Sequence, residues 1–217
     1  MAPVEDLTGS GVLGAVAGAG HLVACEGLLD GRGKPPAQPR SLLPKGAAGG
    51  RCVGEDQAEQ PSRLGPTEEG LYSDARAALD FFARQGLGAE RLVLYGESLG
   101  SAVAVQMATE RSVAALILEA PMTSVAAVAQ ARYPIFPVRW LVLDRFDSLA
   151  KIGSVRAPLL LMHGERDTVV PIRFGRVLFE AANEPKEARY FTDAGHNDLQ
   201  AFGAPDAVLD FLERLNR

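Results

Sequence analysis

Cysteine and histidine are both scarce in this sequence, with two cysteines and three histidines among 217 residues. Cys25 and Cys52 could in principle pair, but they lie in the least regular part of the sequence and show no metal-ligand spacing, so they read as free thiols. Basic residues are not in excess either. The 22 Lys and Arg stand against 27 Asp and Glu, a net charge of -5, and they form no cluster of the kind phosphate binding needs, which excludes a nucleic-acid surface. A long apolar run is also missing. Residues 12–29 come nearest, but glycines interrupt them, His21 and Glu26 lie within them, and the residues ahead are acidic rather than basic. Neither a signal peptide nor a membrane span is expected, and with no lipidation signal the expectation is a cytoplasmic protein without a stable membrane anchor.

Glycine and proline are plentiful but uneven. Of 23 Gly and 14 Pro, 13 and 7 fall in the first 66 residues, so that 20 of those 66 are one or the other, a level at which ordered packing is doubtful. The sequence therefore divides into an atypical Gly/Pro/Ala-rich segment, residues 1–66, and a core, residues 67–217. In TEEGLYSDARAALDFFARQG, Leu71, Ala75, Ala78, Leu79 and Phe82 share one helical face. Thr67 stands as N-cap, acidic residues fill the first turn and Gly86 lies past the end, which predicts an amphipathic helix. RLVLYG, VAALILEA and PLLLMHG then read as continuous apolar strands alternating with helical spacing, followed by a short strand EARYF and a last helix over residues 197–215. Such alternation predicts an α/β protein with a mostly parallel sheet and helices on both faces. The length suits one domain with a sizeable core, on the short side for this architecture.

Gly96-Glu97-Ser98-Leu99-Gly100 falls between a predicted strand and a predicted helix. The glycines let the backbone turn sharply and lift the serine hydroxyl above the sheet edge, with the Leu99 N–H aimed at the site from the helix N-terminus. Gly and Ser are common enough that this pattern needs its context. A serine hydroxyl is a weak nucleophile near neutral pH and needs a base, and two histidines are plausible partners. His163 ends the strand PLLLM and reads as structural, its ring tied to the following loop. His196 lies in Asp193-Ala-Gly-His-Asn-Asp198, ahead of the terminal helix. In chain order Ser98, Asp167 and His196 each follow the carboxyl end of a strand, where open α/β sheets gather their ligands. Asp193 and Asp198, which flank the histidine, are the alternatives for the orienting carboxylate.

YGESLGSAVAVQMA, EAPMTSVAAVAQARYPIFPVRWLVLDRFDSLAKI, APLLLMHGERDTVVP and DAGHNDL resemble the corresponding segments of a bacterial α/β-hydrolase group related to eukaryotic α/β-hydrolase-domain proteins that include protein depalmitoylases. The resemblance runs from PTEEGLYSDA to the C-terminus. It implies an α/β-hydrolase fold, Ser98 as nucleophile, Asp167 as acid, His196 as base and the Leu99 N–H as one oxyanion donor. It also implies a small helical lid over residues 122–150, whose Tyr133, Phe136, Trp140 and Phe146 are candidates for a substrate pocket, against the alternative that they pack the insert onto the sheet. Asp147 and Ser148 read as caps of the next helix.

Upstream of Pro66 the resemblance stops. Members of the group carry a strand ending in His-Gly-Asn or similar, whose loop gives the second oxyanion donor, then a further strand with a Tyr-Arg-Gly-Tyr-Gly type turn; neither is present. The N-terminal strands are thus expected to be partly missing or replaced. Either residues 9–65 are the product of a shifted reading frame, as their Gly, Ala, Pro and Arg bias suggests, or residues 11–17 stand in for the missing strand and 18–21 for its loop. Without a substitute, Leu92 to Tyr95 would form an exposed apolar edge. The function expected is a serine esterase or thioesterase acting through an acyl-enzyme on a small acyl substrate, with no metal or organic cofactor implied. The alternatives are a catalytically impaired or silent binding scaffold and, behind it, a peptidase or amidase.

Overall fold

The computed structural model describes the backbone of residues 13–18, 21–26 and 52–53, and residues 67–215 with their side chains, that of Arg139 apart. Seven strands form one sheet in the order β3-β2-β1-β4-β5-β6-β7. They are β1 (Leu13–Gly18), β2 (His21–Glu26), β3 (Cys52–Val53), β4 (Leu92–Glu97), β5 (Ala115–Glu119), β6 (Leu159–Gly164) and β7 (Lys186–Phe191). From β1 through β4 to β7 the pairing is parallel, while β2 and β3 add antiparallel to the outside. β1 pairs Leu13 to Ala17 with Leu92 to Gly96. It therefore fills the place beside β4, and β4 is not a sheet edge. The β2–β3 register sets Cys25 opposite Cys52. Of the loop expected at residues 18–21, positions 19 and 20 lie outside the described residues, as do 27–51 and 54–66.

Helix α1 (Glu68–Arg84) starts where Thr67 accepts a hydrogen bond from the Gly70 N–H at 3.1 Å, with Glu68 and Glu69 in its first turn. Gly86, at φ +82°, reverses the chain after it. Its buried face is Tyr72, Ala75, Leu79 and Phe82, a slightly different stripe from the predicted one, with Leu71 and Ala78 at its margin. β4, β5 and β6 are buried along their length apart from the half-buried Glu97, as continuous apolar runs covered on both faces require. β7, at the edge, is only half-buried and carries Lys186, Glu187 and Arg189, charges that discourage further strand pairing.

Helices α2 (Leu99–Glu110), α5 (Ser148–Ile152) and α6 (Arg173–Ala181) share with α1 the face built on Leu94, Met107, Leu116, Leu161 and Leu178. The other face packs Val93, Tyr95, Ile117, Leu160 and Met162 under Phe211 and Leu212 of α7 (Ala204–Leu215). The last helix is shorter than predicted. A 3-10 turn over Leu199–Phe202 precedes it, and Gly203 at φ +96° separates the two. Between β5 and β6 lie α3 (Val125–Arg132), α4 (Val138–Leu141) and α5, the predicted helical insert. Asp147 caps α5 by accepting from the Ala150 N–H, and Ser148 is buried at its first position. Among the described residues no helix is long and apolar enough to cross a membrane.

Candidate active site

Ser98 sits at the turn from β4 into α2 with φ 52° and ψ -117°, a conformation L-residues rarely adopt and one that marks stored backbone strain. The sheet holds it there. Its N–H donates to the Glu119 carbonyl at 2.9 Å, and the Ser101 N–H and Oγ both return to the Ser98 carbonyl at 3.1 and 2.6 Å. The turn is also tight. A Cβ on Gly96 would lie 2.5 Å from the Gly100 carbonyl oxygen and 2.6 Å from the Ser101 Cα, so only glycine allows strand and helix to approach this closely. Leu99 opens the helix, and an N–H at that position has no intrahelical partner.

Three chain segments far apart in sequence then meet. His196 Nε2 lies 3.0 Å from Ser98 Oγ, and His196 Nδ1 lies 2.7 Å from Asp167 Oδ2. An ionised carboxylate only accepts, so the Nδ1–H donates to it and Nε2 keeps the lone pair that accepts from the serine hydroxyl. Asp167 is itself fixed. Its Oδ1 takes the N–H groups of Val169 and Val170, both at 2.8 Å. Buried His163 bonds the Val170 carbonyl at 2.8 Å and approaches Asp167 Oδ2 at 3.3 Å. Burial works against the Asp167 charge, but the bonds from His163, His196 and the Val170 N–H outweigh it and hold the carboxyl well below the usual range. His196 is displaced the other way. The hydrogen bond to Asp167 raises it, burial opposes this in part, and the charges of Asp167, Glu97 and Glu119 add to the rise.

The two alternative carboxylates are engaged elsewhere. Asp193 pairs with Arg166 at 2.6 Å on the surface, and Asp198 Oδ1 accepts from the Gly195 N–H at 2.7 Å.

The four lid aromatics do not form one group. Tyr133, Phe136 and Trp140 are exposed, and Trp140 lines a cavity of about 530 Å³ together with Ala126, Ala127, Arg145, Arg173 and Phe174. Phe146 takes the packing alternative. It is 5% exposed and meets Tyr72 edge-on at 5.8 Å, which makes it packing between insert and α1 rather than pocket surface. Its backbone has φ 47°, and its N–H donates to Glu68 Oε2 at 2.9 Å. Glu68 also accepts from Tyr72 and Lys151, and its own N–H donates to Asp144, so the start of α1 clamps the base of the lid.

Two further residues escaped the sequence reading. Gly164, at the end of β6, admits the His196 loop, since a Cβ there would strike the Gly195 and Ala194 carbonyls. Glu119 is a buried carboxyl at the end of β5. A charge closing the apolar run VAALILEA was the signal for it.

The profile of the prolyl oligopeptidase family matches residues 61–215. The chain belongs to this family. Over 151 residues, 68% of the chain and 54% of the relative, it is 44% identical to an uncharacterized protein of Mycobacterium tuberculosis strain H37Rv. With the human α/β-hydrolase domain-containing protein 17B the identity is 36% over 155 residues, 70% of the chain and 50% of the relative. The chain thus spans about half the length of these curated relatives. Among solved structures, the esterase domain of a Rhodothermus marinus protein superposes with a TM-score of 0.53 at 26% identity, covering 66% of this chain and 68% of that one. The acetyl xylan esterase of Paenibacillus sp. R4 gives 0.58 at 21%, covering 67% and 52%, a likeness of fold. This member of the prolyl oligopeptidase family has the α/β-hydrolase fold.

Proposed function

We propose that the chain is a serine hydrolase that cleaves ester or thioester bonds of small acyl substrates through an acyl-enzyme on Ser98. The observation that carries this reading is the continuous hydrogen-bonded line from Ser98 through His196 to Asp167 at the carboxyl edge of the sheet. In the acylation step Ser98 Oγ attacks the acyl carbon as His196 Nε2 takes its proton, and Asp167 stabilises the imidazolium so formed. The Leu99 N–H faces the developing oxyanion. His196 then gives the proton to the departing alcohol or thiol, and water, activated by the same nitrogen, releases the acid. An esterase name on the Rhodothermus marinus relative supports ester cleavage.

Amide cleavage is the second reading, favoured by the family match. Pre-steady-state hydrolysis of a p-nitrophenyl ester tests the first. A burst of p-nitrophenol equal to the enzyme concentration, absent in Ser98→Ala, is the result expected. Turnover undiminished in that variant would defeat it, and cleavage of p-nitroanilides in preference to esters would favour the second.

A further inference from the structure

Glu119 ends a strand that is otherwise Ala-Leu-Ile-Leu, and it is 2% exposed. A buried carboxyl normally has a cation beside it. Among the described residues no Lys or Arg pairs with this one; the Tyr95 hydroxyl donates to Glu119 Oε2 in a short contact. Its backbone carbonyl is the group that accepts the Ser98 N–H. Alternation along β5 puts Glu119 on the face of Ala115 and Ile117, the face that also carries Ala194 and Leu199 on either side of His196.

We propose that Glu119 is a positioning residue of the Ser98 site, a second buried carboxylate that adds its negative charge to that of Asp167 in holding His196 as a base. The proposal rests on the reading of Ser98 and His196 given above. The titratable groups that meet Glu119 are Tyr95, whose hydroxyl bonds it, Glu97, its partner in the β4–β5 register, and His196 after β7. Of these, His196 favours the ionised form of Glu119, while Glu97 and Glu119 both favour the imidazolium of His196. Burial pushes the Glu119 carboxyl up to about 7.

Glu119→Gln removes the charge and keeps an acceptor for the Tyr95 hydroxyl. With it, the acidic limb of the pH profile of kcat/KM on a neutral ester is expected to move to lower pH by roughly half a unit or more. The imidazolium has then lost a stabilising charge and gives up its proton earlier. Proton NMR titration of the His196 ring reads the same shift without turnover. A limb and a ring titration that both stay in place overturn the proposal, whatever happens to the maximal rate. Should Glu119→Gln fail to fold, Tyr95→Phe serves. Removing the donor disfavours the Glu119 carboxylate, so the ring titration again moves to lower pH, and an unmoved titration overturns the proposal there too. A wild type that turns over no ester defeats the esterase reading instead, while the ring titration still decides the role of Glu119.

Discussion

The carbonyl oxygen of Gly195 occupies the space that a Cβ on Gly164 would need. A glycine at the end of β6 thereby lets the histidine loop fold over the strand, and the position of His196 depends on a side chain that is not there. Gly164→Ala is expected to displace residues 194–196 and lengthen the Ser98–His196 contact. Turnover should fall by about a hundredfold, since a shift of the order of an ångström is that costly, and the melting temperature should fall too, since such overpacking costs about 1–3 kcal/mol. Steady-state kinetics and thermal unfolding of the variant check this.

Asp167→Asn is expected to lower kcat/KM by about 10³- to 10⁴-fold, because an amide can hold the imidazole in the wrong tautomer. Asp198→Asn keeps an acceptor for the Gly195 N–H and Asp193→Asn loses a surface pair. Both should stay within about threefold of wild type. A larger loss at Asp198 than at Asp167 would reverse the assignment of the orienting acid.

The pH dependence follows from the direction of each shift. His196 is raised above its ordinary value near 6.5, and its neutral form is the base, so activity should fall as pH drops through a midpoint above 6.5. A rate flat from neutral pH down to about 4 would contradict this. Stability behaves differently. The Asp167 carboxyl is lowered in the fold, so its contribution is present above the ordinary aspartate range near 3.9 and is lost as pH falls below it. His196, being raised, adds stability that is fully present below about 6.5 and lost as pH rises through its folded value. Denaturant titrations from pH 2 to 8 measure both.

The clamp on the lid is open to the same treatment. Glu68→Gln weakens the acceptor of Tyr72, Lys151 and the Phe146 N–H, and Glu68→Ala removes it. The alanine variant should lose about 1 kcal/mol or more of stability and raise KM several-fold with a smaller change in kcat, since the lid and not the reacting atoms is disturbed.

Much of this arrangement was legible from the residues. Thr67 and Gly86 bound the first helix because capping and left-handed reversal are local, and Ser98, Asp167 and His196 could be ordered because each follows a predicted strand. Tertiary packing was less visible. The aromatics of the insert look alike in sequence, yet the contact of Phe146 with Tyr72 and its bond to Glu68 come from a helix more than sixty residues earlier. The break at Gly203 was hidden because residues 197–215 are helical in spacing on either side of it. Glu119 and Gly164 act through neighbours on adjacent strands, and only the sheet register brings those together.

The central claim is that Ser98 is an activated nucleophile. Treating the protein with a fluorophosphonate and locating the adduct by mass spectrometry tests it most directly. The account predicts one stoichiometric adduct on Ser98, absent in Ser98→Ala and much slowed in His196→Ala. Labelling of the wild type no faster than of Ser98→Ala would contradict it.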